Sequence, residues 1–185
     1  LVVVGAGVVG AATAYFATLA GLRVVVVERG AIAQGTSSAG EGNLLVSDKE
    51  AGPELDLALY SQAVWREDLA GHAGRWEFES KGGLVVAATA RSLAALRELG
   101  VHQRASGVEV QDVGPDRLHD HEPHLARDLA GAAFYPQDAQ VQPMLVVAHL
   151  LRLARDRGAR VCTGTEVTGF LRGGDRVTGV RTGAG

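Results

Sequence analysis

The feature that most limits what this chain can fold into is a glycine string, Gly5-Ala6-Gly7-Val8-Val9-Gly10. It stands directly after an apolar run, residues 1–4, and directly before a proline-free stretch of small and apolar residues, 8–20. A short apolar run ended by glycine is the pattern of a central parallel strand covered on both faces. Residues 8–20 are apolar all round and predict a buried helix that Gly21 ends. Residues 23–28, with valine at positions 24 to 27, predict a second strand. Strand, helix and strand in so short a span make a βαβ unit with a right-handed crossover.

Each glycine has a separate physical task. Gly5 permits the tight turn out of the strand, Gly7 lets the backbone approach a pyrophosphate with no Cβ in the way, and Gly10 lets helix and strand pack closely. The helix N-terminus then offers unpaired amide hydrogens and the positive end of a dipole to phosphate. An acidic residue, Glu28, closes the second strand, where it would accept hydrogen bonds from the hydroxyls of an adenosine ribose. A carboxylate there also repels a 2′-phosphate, which argues against NADP.

From residue 29 to about 53 the composition turns to Gly, Ser, Thr and Ala, with no sustained period before Leu44, so a long functional loop is expected. Pro53 opens a helix to about residue 70 with Leu55, Leu59 and Leu69 toward a core. Further strands are expected at 84–87, entered through Gly82-Gly83, and at 108–113, 131–135 and 160–163. Thr89 opens a helix through Leu99, and residues 143–157 form another, carrying Leu145, Leu150, Leu151 and Leu153. Residues 166–171 and 176–181 alternate around Gly173-Gly174-Asp175, the signature of a hairpin with one wet face.

A chain of 185 residues, 46% hydrophobic, holds one compact core or one domain plus part of another. With 18 cationic against 21 acidic residues and no basic block, nucleic acid is excluded as a partner and small molecules become the default. The single cysteine, Cys162, cannot form an internal disulfide; a buried inert thiol in a reducing cytoplasm is expected. No apolar stretch reaches the roughly 18 residues needed to cross a bilayer, leaving at most peripheral membrane attachment. A start without Met inside a strand, and an end at Arg181-Thr-Gly-Ala-Gly185 reading as a turn after a strand, suggest a piece of a longer protein.

The string G-A-G-V-V-G-A-A-T-A-Y, then G-L-R-V-V-V-V-E-R, then Gly35-Thr-Ser-Ser-Ala-Gly-Glu-Gly-Asn-Leu44, resembles the amino-terminal signature of the D-amino acid oxidase family of flavoenzymes. That family includes glycine oxidase, sarcosine oxidase and D-amino acid dehydrogenases. Weaker landmarks follow in the Gly-Gly-Leu-Val strand, Glu122-Pro123 and Gln140-Val-Gln-Pro143. The resemblance implies FAD as the cofactor and an α/β fold: a Rossmann-like FAD-binding domain (residues 1–75, then 141–185) with an inserted, largely antiparallel α+β substrate domain (residues 76–140), both incomplete. It implies that Val8 and Val9 lie beside the pyrophosphate, Glu28 and Arg29 beside the adenosine, and that Thr36 and Ser37 bind phosphate. Glu41, Gly42 and Asn43 would pass near the flavin ring. Val167, on a strand of the nucleotide-binding sheet, would meet the adenine through its backbone.

The loop makes physical sense, because hydroxyls at Thr36 and Ser37 and free amides around Gly40 and Gly42 hold phosphate oxygens and polarise a ring without supplying a titratable base. Glu41 is a departure, since it places a negative charge beside an electron-rich reduced flavin. The reaction implied is oxidation of the C–N bond of an amino acid or secondary amine by hydride transfer to flavin N5. The substrate would be held mainly by residues beyond 185, so the catalytic residues are expected outside this chain. An FAD-dependent hydroxy-acid or glycerol-phosphate dehydrogenase, or a non-catalytic nucleotide-binding or electron-transfer subunit, would share this front end.

Other groupings invite different chemistry. His119, His121 and His124, with Asp120 and Glu122, suggest a metal, but Pro123 breaks the helix that would align them and a solvated turn is the better account. Trp65, Trp76 and Phe78 suggest a stacking platform, yet Trp65 at helical spacing reads as core. Arg75, Lys81 and Arg91 are indistinguishable from surface charges.

Overall fold

The computed structural model describes residues 1–183; the last two residues of the expected terminal turn, 184 and 185, lie outside the described residues. In chain order the elements are β1 (Val2–Val4), α1 (Val8–Leu19), β2 (Val25–Val27), α2 (Thr36–Ala39), β3 (Asn43–Leu44), α3 (Pro53–Ala63), β4 (Gly83–Ala87), α4 (Ala90–Ala105), β5 (Gln111–Val113), α5 (Leu118–His121), β6 (Gly131–Tyr135), β7 (Ala139–Gln140), α6 (Pro143–Asp156), β8 (Arg160–Cys162), β9 (Val167–Gly173) and β10 (Arg176–Thr182). The chain divides into two compact units: Leu1–Gly42 with Arg75–Glu77 and Gln142 onward, and Asn43–Gly74 with Phe78–Val141. The first boundary thus falls well before the expected cut at 75, and the last close to the expected return at 141.

In the first unit, β1, β2 and β8 form a parallel sheet in the order β1-β2-β8, with Val2 opposite Val25 and Val25 opposite Arg160. Helix α1 ends at Gly21, whose φ of +78° suits the left-handed conformation that closes a helix. Val146, Val147, Leu150, Leu151 and Ala154 form one buried face of α6, which packs on α1. At about 2 kcal/mol for each large aliphatic side chain removed from water, that face accounts for much of the cohesion between the two helices.

Burial in this unit differs from expectation at several places. Among the described residues β1 pairs with β2 alone; Val3 is buried, whereas Val2 and Val4 are 39% and 56% exposed. Helix α1 is likewise buried on one side only, through Ala11, Ala14, Tyr15 and Thr18, while Val9 is 78% exposed. Apolar composition reports that a surface tolerates burial, not which neighbour covers it. Cys162 is half-buried rather than buried. The hairpin of β9 and β10 forms as expected but as a separate two-stranded sheet, and both its faces are largely exposed, with Phe170 and Val177 among the open side chains.

The second unit is built on an antiparallel sheet, β4-β6-β5, with β3 and β7 paired beside each other. Its core joins Val46, Leu55, Val108, Val110, Ala133 and Tyr135. The helix expected to reach residue 70 stops being α-helical at Ala63 and continues as one π turn, Val64–Asp68. Helix α4 runs past the expected end at Leu99 to Ala105, and Gly100 within it lies where the helix approaches the chain leading into β5: a Cβ there would be 3.3 Å from Val110 Cγ1. Of the strand expected at 108–113 only Gln111–Val113 is extended in a ladder, although Val108 and Val110 are still buried.

Thr89 caps α4 with a reciprocal pair of hydrogen bonds: its Oγ1 accepts from Ser92 N–H at 3.1 Å, and Ser92 Oγ accepts from Thr89 N–H at 3.0 Å. Thr89→Ala should therefore lower stability by about 1 kcal/mol, measured by urea unfolding of the full-length protein. An unchanged urea midpoint would show that water replaces the cap without loss.

Candidate functional site

The turn from β1 into α1 has the geometry that the glycine spacing demands. Gly5 adopts φ +101° and its N–H donates to Val27 O at 2.8 Å, tying the turn to β2. Gly10 lies so close to that turn that a Cβ would come 2.0 Å from Gly5 O. Helix α1 has no side-chain cap from its own N-cap residue, Gly7. The N–H of Val8 donates instead to Ser37 Oγ at 2.9 Å, from the loop that follows β2.

A cleft of about 640 Å³ opens at this point, lined by Gly7, Glu28, Arg29, Thr36 and Ser37 together with Gly30, Ala31, Ala33, Gln34 and Gly35. Five residues expected at the nucleotide therefore share one cleft. Glu28 is anchored through its backbone to Cys162 O and Thr165 N–H. Its carboxylate accepts from Ala6 N–H at 2.9 Å through Oε2 and from Gly30 N–H at 2.7 Å through Oε1. The amide of Ala6 first, then that of Gly30, holds this carboxyl below the usual carboxylate range. Each oxygen keeps a second lone pair, so the group is preset as an ionised acceptor beside the cleft.

This donor set fits the ADP portion of FAD. Gly7 and Gly35 bring bare backbone to the cleft, Thr36 and Ser37 bring neutral hydroxyls, and the amino-terminal end of α1 faces the same space. Glu28 is the one carboxylate on the lining.

Gly5 lies in the turn, and Val8, Val9 and Gly10 in the first turn of α1; none of the four is on the cleft lining. Gly40 follows α2 in extended conformation, Glu41 is exposed, and Gly42, at φ +81°, is the last residue of the first segment of this unit. Asn43 begins the second unit and lines a different cleft there. Val167 needs a correction. It opens β9 and pairs with Thr182 in the two-stranded antiparallel sheet, not in the parallel sheet of β1, β2 and β8.

Sequence reasoning missed residues 30, 31 and 33–35. Ala33 is buried at φ +61°, its N–H on Ala6 O at 3.1 Å, and Gln34 Oε1 accepts from Ala31 N–H at 2.9 Å. Gly30 and Gly35, flanking the loop, were the available signal; nothing marks an alanine that folds into the left-handed region. The histidines diverge: His119 Nε2 lies 3.1 Å from Leu125 O and the His121 ring packs on Phe134. Trp65 is half-buried and stacks on Phe78 at 6.4 Å, whereas Trp76 is fully buried. No helix among the described residues is long and apolar enough to cross a membrane.

Over 181 residues the chain is 28% identical to one component of the anaerobic glycerol-3-phosphate dehydrogenase of Escherichia coli (strain K12), covering 98% of this chain and 33% of that protein. It is 26% identical over 180 residues to the glycine oxidase of Bacillus subtilis (strain 168), covering 94% of this chain and 47% of the relative. The crystal structure of glycine oxidase from Geobacillus kaustophilus superposes with a TM-score of 0.89 at 29% identity, over 100% of this chain and 51% of that one. The chain thus spans about half or less of the length of these proteins. A family model described as DAO, FAD dependent oxidoreductase, matches residues 1–185. With the cleft and its donor set, the match makes this chain a member of the DAO family of FAD-dependent oxidoreductases.

Proposed function

We propose that the protein of which this chain is part oxidises the C–N bond of an amino acid or secondary amine, with FAD bound through the Gly7–Glu28–Ser37 cleft. The observation that carries the reading is the loop Gly35-Thr-Ser-Ser-Ala-Gly-Glu-Gly-Asn-Leu44, which resembles the amine-oxidising flavoenzymes and brings Thr36 and Ser37 to the cleft. The likeness to glycine oxidases over the whole chain supports it. When bound, FAD supplies a hydride acceptor at flavin N5. In this reading Glu28 orients the adenosine ribose beside Arg29, and Thr36 and Ser37 bind the pyrophosphate, with Val8 and Val9 beside it. Glu41, Gly42 and Asn43 pass the ring, and Val167 meets the adenine.

A second reading, oxidation of glycerol phosphate or a hydroxy acid, is favoured by the 28% identity to the component of the anaerobic glycerol-3-phosphate dehydrogenase. One experiment separates the two. The purified full-length flavoprotein is mixed anaerobically with glycine, sarcosine, proline, a panel of D-amino acids, or glycerol 3-phosphate, and its visible spectrum is followed. Bleaching of the flavin by an amine is the expected result. Bleaching by glycerol 3-phosphate alone would replace the amine reading with the second.

A further inference from the structure

In the second unit every buried polar side chain among the described residues belongs to, or bonds to, one short stretch of backbone, residues 44–49. Ser47 lies in the stretch, and Gln62, Gln103 and Asp138 reach it from α3, from α4 and from the turn before β7. Gln62 Nε2 donates to Leu44 O at 2.9 Å. Asp138 Oδ1 accepts from Val46 N–H at 2.8 Å and Ser47 N–H at 3.3 Å. Gln103 Nε2 donates to Ser47 O at 3.2 Å and Lys49 O at 2.8 Å.

Carbonyl oxygens can only accept, so both glutamine amides are fixed in orientation, and each has its oxygen engaged on the other side. Arg66 Nε donates to Gln62 Oε1 at 3.3 Å, and Tyr135 OH donates to Gln103 Oε1 at 2.8 Å. Burial first, then the neighbouring Asp138 carboxylate, pushes the Tyr135 phenol up, which keeps it a donor at neutral pH. Asp138 is 1% exposed, and its Oδ2 has no hydrogen-bond partner and abuts Gly83, where a Cβ would come 2.3 Å from it. Burying such groups is costly, and apolar side chains would serve cohesion as well or better. What the polar set provides is one defined path for a stretch with no ladder beyond Leu44.

That stretch is one wall of a cleft of about 270 Å³, whose other wall is Ala58, Ser61, Gln62 and Trp65. Trp65 is held by stacking on Phe78, which also lies under the Arg66 guanidinium at 5.9 Å, itself fixed by Ser80 Oγ and Gln137 O at 2.8 Å each. Both walls are therefore preset, with apolar surface from Leu44, Leu45 and Trp65, polar atoms from Asn43 and Ser61, and the charges of Asp48 and Lys49 paired with each other at 2.7 Å.

We propose that Gln62, Gln103 and Asp138 are positioning residues that hold residues 44–49 as the preset wall of a cleft for the apolar part of a small amine or amino-acid substrate. This rests on the amine reading above, in which Asn43, the first residue of the cleft, ends the loop passing the flavin.

The test uses the full-length flavoprotein and the amine that bleaches it, with Asp138→Ala, Gln103→Leu, Gln62→Met and Asp138→Asn. For the first three, FAD content is expected to stay at the wild-type level and KM to rise about tenfold, with the flavin reduction rate at saturating amine within about twofold. Amide hydrogen exchange at residues 44–49 should quicken in parallel. Asp138→Asn, whose side-chain oxygen still accepts from Val46 and Ser47, should recover most of the wild-type KM. Faster exchange at 44–49 with an unchanged KM would overturn the proposal, as would loss of FAD or failure to fold in all the variants. Absence of bleaching by any amine in the wild-type protein is a separate result, and it would remove the amine reading and this proposal together.

Discussion

Gly10→Ala should leave the full-length protein without bound FAD and with its nucleotide-binding turn unfolded or rearranged. A Cβ at position 10 would come 2.0 Å from Gly5 O, 3.0 Å from Gly5 C and 3.4 Å from Val3 Cγ1. The first two atoms are backbone, and the turn cannot retreat, because Gly5 at φ +101° is already tied to Val27 O. Relief must come from pulling α1 off β1, which opens the packing that places the helix N-terminus at the cleft. Overpacking costs typically about 1–3 kcal/mol and more where the obstructing atoms are fixed backbone, a substantial share of the roughly 5–15 kcal/mol that holds a domain together. Gly21→Ala is the matched control: its Cβ meets nothing within 4 Å, so only the strain of φ +78° remains, about 1–2 kcal/mol. Thermal unfolding and flavin absorbance measure both effects. Wild-type flavin content and melting temperature in Gly10→Ala would show that the turn is not packed as described.

The second large effect is expected at Glu28. Removing its side chain leaves the amides of Ala6 and Gly30 without their charged acceptor. Two charge-assisted hydrogen bonds at a half-buried position, where water recovers part of the loss, amount to about 2–3 kcal/mol. Glu28→Ala should therefore lower stability by that amount and, on the proposed reading in which Glu28 accepts from the adenosine ribose, reduce FAD retention.

The sign of the pH dependence follows from the depressed pKa. The folded state holds this carboxylate ionised more strongly than the unfolded chain does. Its contribution is complete above the unfolded carboxylate pKa, near pH 4 to 5, and is lost as the pH falls through the lower folded value. Glu28→Gln should accordingly flatten the acid limb of the stability curve while changing little of its shape near neutrality. Equal acid limbs in wild type and variant, by denaturant titration at a series of pH values, would show that Glu28 is not the group responsible.

The nucleotide-binding turn was legible because its chemistry is local. A strand, three glycines at fixed offsets, a helix and a terminal acid within 28 residues each constrain their immediate neighbours, and the turn contacts of Gly5, Gly10 and Glu28 stay within or close to that span. The loop at 35–44 was legible only through its likeness to a family. By composition alone it reads as a loop, and neither the short helix Thr36–Ala39 nor the left-handed Ala33 has a residue-level signal. The buried net around residues 44–49 was invisible for a different reason: Gln62, Gln103 and Asp138 lie far apart along the chain, and a glutamine on a helix reads as surface until the helix is packed.

By itself the amino-acid sequence determined the βαβ turn, its preference for a dinucleotide with a free ribose hydroxyl, and most helix and strand positions, because backbone conformation and hydrophobic period act over a few residues. Tertiary structure alone decided that the expected hairpin carrying Val167 stands as its own sheet among the described residues, and that Ser37 supplies the acceptor for the first amide of α1. It also decided where three buried polar side chains converge. Those outcomes depend on which distant surfaces meet, and solvation and packing between remote segments leave no periodic trace in the order of residues.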